Sequence, residues 1–168
     1  MTYGKIIGLI TVTGGESDYK NDYKFIIKYL RDIITEYDLK LMGIGYDPHN
    51  ADGFLEDLES FGVPMIQITQ SARFLNDGTE DIQLNVKSKK IKYDVKNELL
   101  TWSACNAKIV KNSFDEKKID KEPKARTKRI DPIDALIDSH IAFMKLKKEE
   151  SRDYDKEMKD YLEMMNWR

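Results

Sequence analysis

The sequence predicts an α/β domain in which short parallel strands lie against amphipathic helices. Three observations carry this. Between residues 21 and 69, helical and extended patterns alternate with short links, the order that builds a parallel layer. Phe25, Ile26, Tyr29, Leu30, Ile33 and Ile34 recur at helical spacing and make one broad apolar face. Residues 39–46 form a short apolar run that ends at Asp47-Pro48, where the missing proline N–H stops a hydrogen-bond ladder.

Taken in order, residues 6–13 alternate loosely and predict a strand, with Gly14-Gly15 as its turn. A helix starts at Asn21 or Asp22 and ends near Tyr37. Leu39, Leu41, Met42 and Ile44 then mark the buried strand that leads to Asp47. A second helix is expected over residues 51–61, with Phe54, Leu55, Leu58 and Phe61 inward and Gly62 suited to close it. Residues 63–69 predict another strand, and residues 70–78 a loop. A helix is expected over 79–88 around Ile82 and Val86, and a brief extended piece at Ile91 and Tyr93. Leu99, Leu100 and Trp102 suggest a short helix over 98–105. Residues 107–112 and 117–121 flank a turn and predict a β-hairpin, which Pro123 ends. Asp131 suits a helix N-cap, Pro132 its first position and Asp134 its third. Ile133, Leu136, Ile137, His140, Ile141 and Met144 form the apolar face of this last core helix. From residue 147 the chain is dense in charge, and Met158, Leu162 and Met165 predict a solvated helical tail. The expected division is therefore a domain over 1–146 and a tail over 147–168.

Composition narrows the function classes. Hydrophobic residues make up 40% of the chain and charged residues 35%, the balance of a globular protein with a charged surface. No apolar run approaches the roughly 20 residues of a membrane span, and the start lacks a secretory apolar segment, so a cytoplasmic setting without a membrane is expected. The single cysteine, Cys105, rules out an internal disulfide and a Cys-rich zinc site. No GxxxxGK[ST] phosphate loop is present. With a net charge of −2, any nucleic-acid surface must be local. Lys87, Lys89, Lys90 and Lys92 form one basic cluster; Lys117, Lys118, Lys121, Lys124, Arg126, Lys128 and Arg129 form another that leads into Asp131.

The acids offer chemistry. Asp47 stands at the carboxyl end of a strand, where open α/β sheets bind ligands, although Asp-Pro is also a common turn. Asp131 and Asp134, three residues apart, share a helix face, although capping also accounts for acids at a helix start. Carboxylates brought together repel unless a cation sits between them, and all-oxygen ligand sets suit Mg²⁺ or Mn²⁺. Two such ions can activate water and stabilise the leaving oxygen of a phosphodiester. His49 stands beside Asp47, where it could contact substrate or orient a ligand, although a plain loop histidine is the more ordinary reading.

These pieces, taken in order, resemble the C-terminal nuclease domain of the large terminase subunit of tailed bacteriophages. The matching segments are residues 9–15 ahead of a helix, Gly45-Tyr46-Asp47-Pro48, Phe61-Gly62-Val63-Pro64, residues 68–70, Trp102 followed by Asn106-Ala107, and residues 128–136. The pairing of Tyr-Asp-Pro with Ile-Asp-x-x-x-Ala-Leu is the most specific part. The resemblance implies an RNase H-like mixed sheet flanked by helices and a metal-dependent DNA endonuclease with two Mg²⁺ or Mn²⁺ ions. Asp47 would be the second metal-binding acid and Asp131 the last, with Asp134 as an alternative or auxiliary ligand. Lys118, Lys121, Lys124, Arg126, Lys128 and Arg129 would contact double-stranded DNA. Partners implied are the terminase ATPase domain, the small terminase subunit and the portal, in the cytoplasm of a bacterial host. The family carries a first acid on an opening strand, whereas residues 1–13 hold no Asp or Glu. The chain is thus expected to be the domain without its first strand. A non-catalytic module that binds DNA or motor partners is the alternative.

Overall fold

A computed structural model describes residues 23–49, 54–121 and 128–166. The strand expected over 6–13, its Gly14-Gly15 turn, and Lys124 and Arg126 lie outside these. The elements run α1 (Tyr23–Glu36), β1 (Ile44–Tyr46), α2 (Leu55–Glu59), β2 (Met65–Gln67), α3 (Ala72–Lys87), α4 (Glu98–Asn106), β3 (Ala107–Lys111), β4 (Lys117–Lys121) and α5 (Asp131–Asn166). β1 and β2 pair in parallel, with Ile44 opposite Met65 and Tyr46 opposite Gln67. The Ile68 N–H extends the ladder by donating to the Tyr46 carbonyl at 2.8 Å. Both strands are shorter than the apolar runs at 39–46 and 63–69 suggest. β3 and β4 form the expected antiparallel hairpin, with Ile109 opposite Ile119. Its turn is held by the Asn112 side-chain oxygen, which accepts from the N–H groups of Phe114 and Glu116.

The core is small and lies where β2, α3 and α5 meet. Ile68, Leu75, Ile137, Ile141 and Ala142 are buried together, with Ile66, Phe74, Ile82 and Ile119 packed around them. Each large aliphatic side chain buried in this way contributes about 1.5–3 kcal/mol. α1 is tied to the end of α2 by Arg31, whose guanidinium donates to Ser60 Oγ at 2.8 Å and lies 4.7 Å from the Phe61 ring centroid.

Three expectations need correction. Residues 70–78 are not a loop: α3 begins at Ala72, capped by Ser71, whose hydroxyl accepts from the Phe74 N–H. Gly78, where the expected loop ends, is buried inside this helix and lets Ile141 of α5 approach; a Cβ there would collide with the Ile141 side chain. Residues 91 and 93 form no strand. The start of α5 is shifted by one position. The Asp134 N–H donates to the Ile130 carbonyl at 3.0 Å, so Ile130 occupies the cap and Asp131 lies in the first turn. α5 then runs unbroken to Asn166, and the charged segment from residue 147 continues the core helix. No helix among the described residues is long and apolar enough to cross a membrane.

Candidate functional site

The site is assembled by the way β1 lies on α5. Gly43 and Gly45 leave no room for side chains. A Cβ at Gly43 would lie 2.7 Å from Leu146 Cδ1, and one at Gly45 would lie 3.1 Å from Ala142 Cβ and 3.2 Å from the Asp138 carbonyl oxygen. Two strand residues advance about 6.6 Å and four helical residues about 6 Å, so the two elements stay in step. Leu146 faces Gly43 and Ala142 faces Gly45. One step further, Asp47 falls beside Asp138, and Asp134 lies one helical turn beyond.

Electrostatics bear this out. Burial pushes the Asp134 carboxyl above the ordinary range, and the charges of Asp131, Asp47 and Asp120 raise it further, while Lys118 lowers it. Burial likewise raises Asp138, to about 6; the Gln70 hydrogen bond opposes this, and the charges of Asp134 and Asp47 add to it. The charges of Asp47 and Asp131 thus act on Asp134, and those of Asp47 and Asp134 act on Asp138. Asp47 is exposed and also shapes its own loop, because its Oδ1 accepts the His49 N–H at 3.0 Å and closes the Asp-Pro turn.

Gln70 lies just past β2, so the carboxyl ends of both parallel strands reach this point. Its Nε2 donates to Asp138 at 3.0 Å to one carboxylate oxygen and 3.3 Å to the other. Asp138 is absent from the site expected from sequence. The signal was present: 131, 134 and 138 follow the three-then-four spacing of one helix face.

Of the basic residues, Lys118 in β4 is half-buried and close enough to act on Asp134. Lys121 ends β4 and is exposed, Lys128 is half-buried, and Arg129 is exposed. The Arg129 carbonyl accepts from Asn106 Nδ2 at 3.2 Å, which ties α4 to the approach of α5. Lys117 is engaged elsewhere, 2.6 Å from Glu80. His140 faces α3, where its Nε2 lies 2.7 Å from Asp81 Oδ2. Cys105 is exposed and free.

The donor set is all carboxylate oxygen, and the neighbouring negative charges raise the proton affinity of Asp134 and Asp138. This is the chemistry that a hard divalent cation relieves. Among the described residues, no three His, Cys, Asp or Glu side chains form a group tight enough to hold a metal ion. The aspartates feel one another without closing into a ligand cage.

Fold and site together define a class: an RNase H-like α/β domain with acids at the carboxyl ends of its parallel strands. The chain belongs to the family described as the terminase large subunit, endonuclease domain, whose model matches residues 8–150. It is similar to the crystal structure of the HK97 bacteriophage large terminase, with a TM-score of 0.62 and 26% identity over 72% of this chain and 25% of that chain. It thus spans about a quarter of that protein's length. Comparison with curated proteins gives no match.

Proposed function

We propose that this chain is a metal-dependent DNA endonuclease domain that cuts viral DNA during packaging into a phage head. What supports the proposal is that the charge of Asp47, at the end of β1, acts on Asp134 and Asp138 of α5, more than eighty residues away in the chain. Asp47, Asp131 and Asp134 would hold Mg²⁺ or Mn²⁺, which supplies an activated water and charge stabilisation at the scissile phosphate. The chain's own residues set up that chemistry. The Asp47-Pro48 turn fixes one carboxylate at the strand end, and the first turns of α5 present the others. Lys118, Lys121, Lys128 and Arg129 offer positive charge beside them for backbone phosphates, contacts that position a duplex without reading its sequence. Partners in this role are double-stranded DNA and the other parts of a packaging motor.

Supercoiled plasmid incubated with the protein and Mn²⁺ tests the proposal. Nicked and linear products are expected, and they should vanish in the Asp47→Asn, Asp131→Asn variant. Products of equal yield in that variant would refute the assignment. Retained DNA binding without any cleavage would favour an interaction module.

A further inference from the structure

We infer that the distal half of α5 is a docking stripe for a partner α-helix with basic flanks, paired with it as a coiled coil. Past the core, α5 continues over residues 147–166, about 30 Å at the helical rise per residue. The apolar spacing continues with it. Ile133, Ile137, His140 and Met144, which are buried or half-buried, are separated by four, three and four residues. Tyr154, Met158, Tyr161 and Met165 repeat the same spacing in the same register, with Lys147 and Ser151 between the two sets, and all four are exposed. Leu162 and Met164 beside them are exposed as well. A sustained seven-residue repeat keeps one face turned toward a second helix over several turns. In heptad letters, Met158 and Met165 fall at a, and Tyr154 and Tyr161 at d. The stripe from Tyr154 onward lies beyond residues 8–150, which the family model matches, so it is an addition to the nuclease domain. Charge states the partner's chemistry. The bordering e and g positions hold Glu150, Asp155 and Glu157 against Lys148, whereas the opposite face mixes Glu149, Lys156, Lys159, Asp160 and Glu163. Acidic borders are met by Lys or Arg at the e and g positions of the facing helix. They disfavour a second copy, because a parallel pair would bring Glu150 of one chain to Asp155 of the other. They also repel nucleic acid and anionic lipid.

Fluorescence anisotropy of the 168-residue chain with a labelled helical peptide tests this, without metal or DNA, so its failure leaves the nuclease proposal standing. The peptide is about four heptads long, with Ile at a, Leu at d and Lys at every e and g position. It should bind, and the same peptide with Glu at e and g should bind at least about tenfold more weakly. The Met158→Glu, Tyr161→Glu variant removes the centre of the stripe and adds negative charge. It should weaken binding of the Lys peptide by about tenfold or more, whereas bare attraction between charges would make it tighter. Both positions are exposed, so the core is untouched; Met165→Glu, in the last turn, provides the same comparison if the double variant loses helix by circular dichroism. No binding of the Lys peptide, equal binding of the two peptides, or unchanged or tighter binding to the variants would overturn the inference. So would sedimentation of the free chain as a dimer that the double variant dissociates, which would assign the stripe to a second copy.

Discussion

Replacing Asp138 with asparagine should make the metal-free protein more stable at pH 8. The folded state holds this carboxyl at about 6, against about 3.9 in an unfolded chain. Between those values the folded form keeps a proton that the unfolded form has lost. Unfolding therefore releases a proton, and the stability contributed by this group falls as pH rises from about 4 to about 6. Above pH 6 the cost of ionising Asp138 is fully expressed. At about 1.4 kcal/mol per pH unit, the gap bounds that cost at about 3 kcal/mol. Asp138 is only half-buried, and solvent screening reduces the figure to about 1–2 kcal/mol. Asparagine removes the charge, and its side-chain oxygen still accepts from Gln70. Urea denaturation should therefore show Asp138→Asn gaining about 1–2 kcal/mol at pH 8, and about a third of that at pH 4.5. A gain that does not change with pH, or a loss at pH 8, would refute the account of Asp138 as a repelled, half-buried carboxylate.

Two further substitutions test the packing that builds the site. Gly45→Ala places a methyl group 3.1–3.2 Å from Ala142 and the Asp138 backbone, so β1 must shift off α5. The expected cost is about 1 kcal/mol in thermal unfolding, with weaker stabilisation by Mn²⁺ because Asp47 moves with the strand; an unchanged Mn²⁺ effect would contradict the register of β1 on α5. Gly78→Ala sets helix propensity, a gain of about 1 kcal/mol, against a collision with Ile141 in the core that costs about 1–3 kcal/mol. The collision should win, and a more stable variant in urea would show that the α3–α5 approach is looser than described.

Much of this architecture is legible in the sequence because local periodicity and burial agree there. α1, the hairpin and the core face of α5 follow from apolar spacing that tertiary contacts then use, as at Ile137 and Ile141, whereas α4 leaves Leu99 and Trp102 exposed and buries Ser103 and Asn106. The start of α3 was hidden because Gly78 is a turn former by propensity, while in the fold it serves a helix crossing, a contact with a residue more than sixty positions away. β1 is less apolar than an ordinary buried strand because Gly43 and Gly45 serve its close packing on α5, while the Pro64 carbonyl accepts the Ile44 N–H at the start of the pairing. At the site, Asp47, Asp131 and Asp134 stand out as acids at element ends. Asp138 does not, because an acid one turn further along a helix looks like ordinary surface charge until Gln70 and β1 are brought to it.

The central claim is that acids from the end of β1 and the start of α5 share one divalent cation, and the most direct measurement is an anomalous difference map from a crystal soaked in Mn²⁺. A peak bounded by Asp47, Asp131 and Asp134 is expected. A map with no peak there, or with Mn²⁺ bound only at other acids, would contradict the claim.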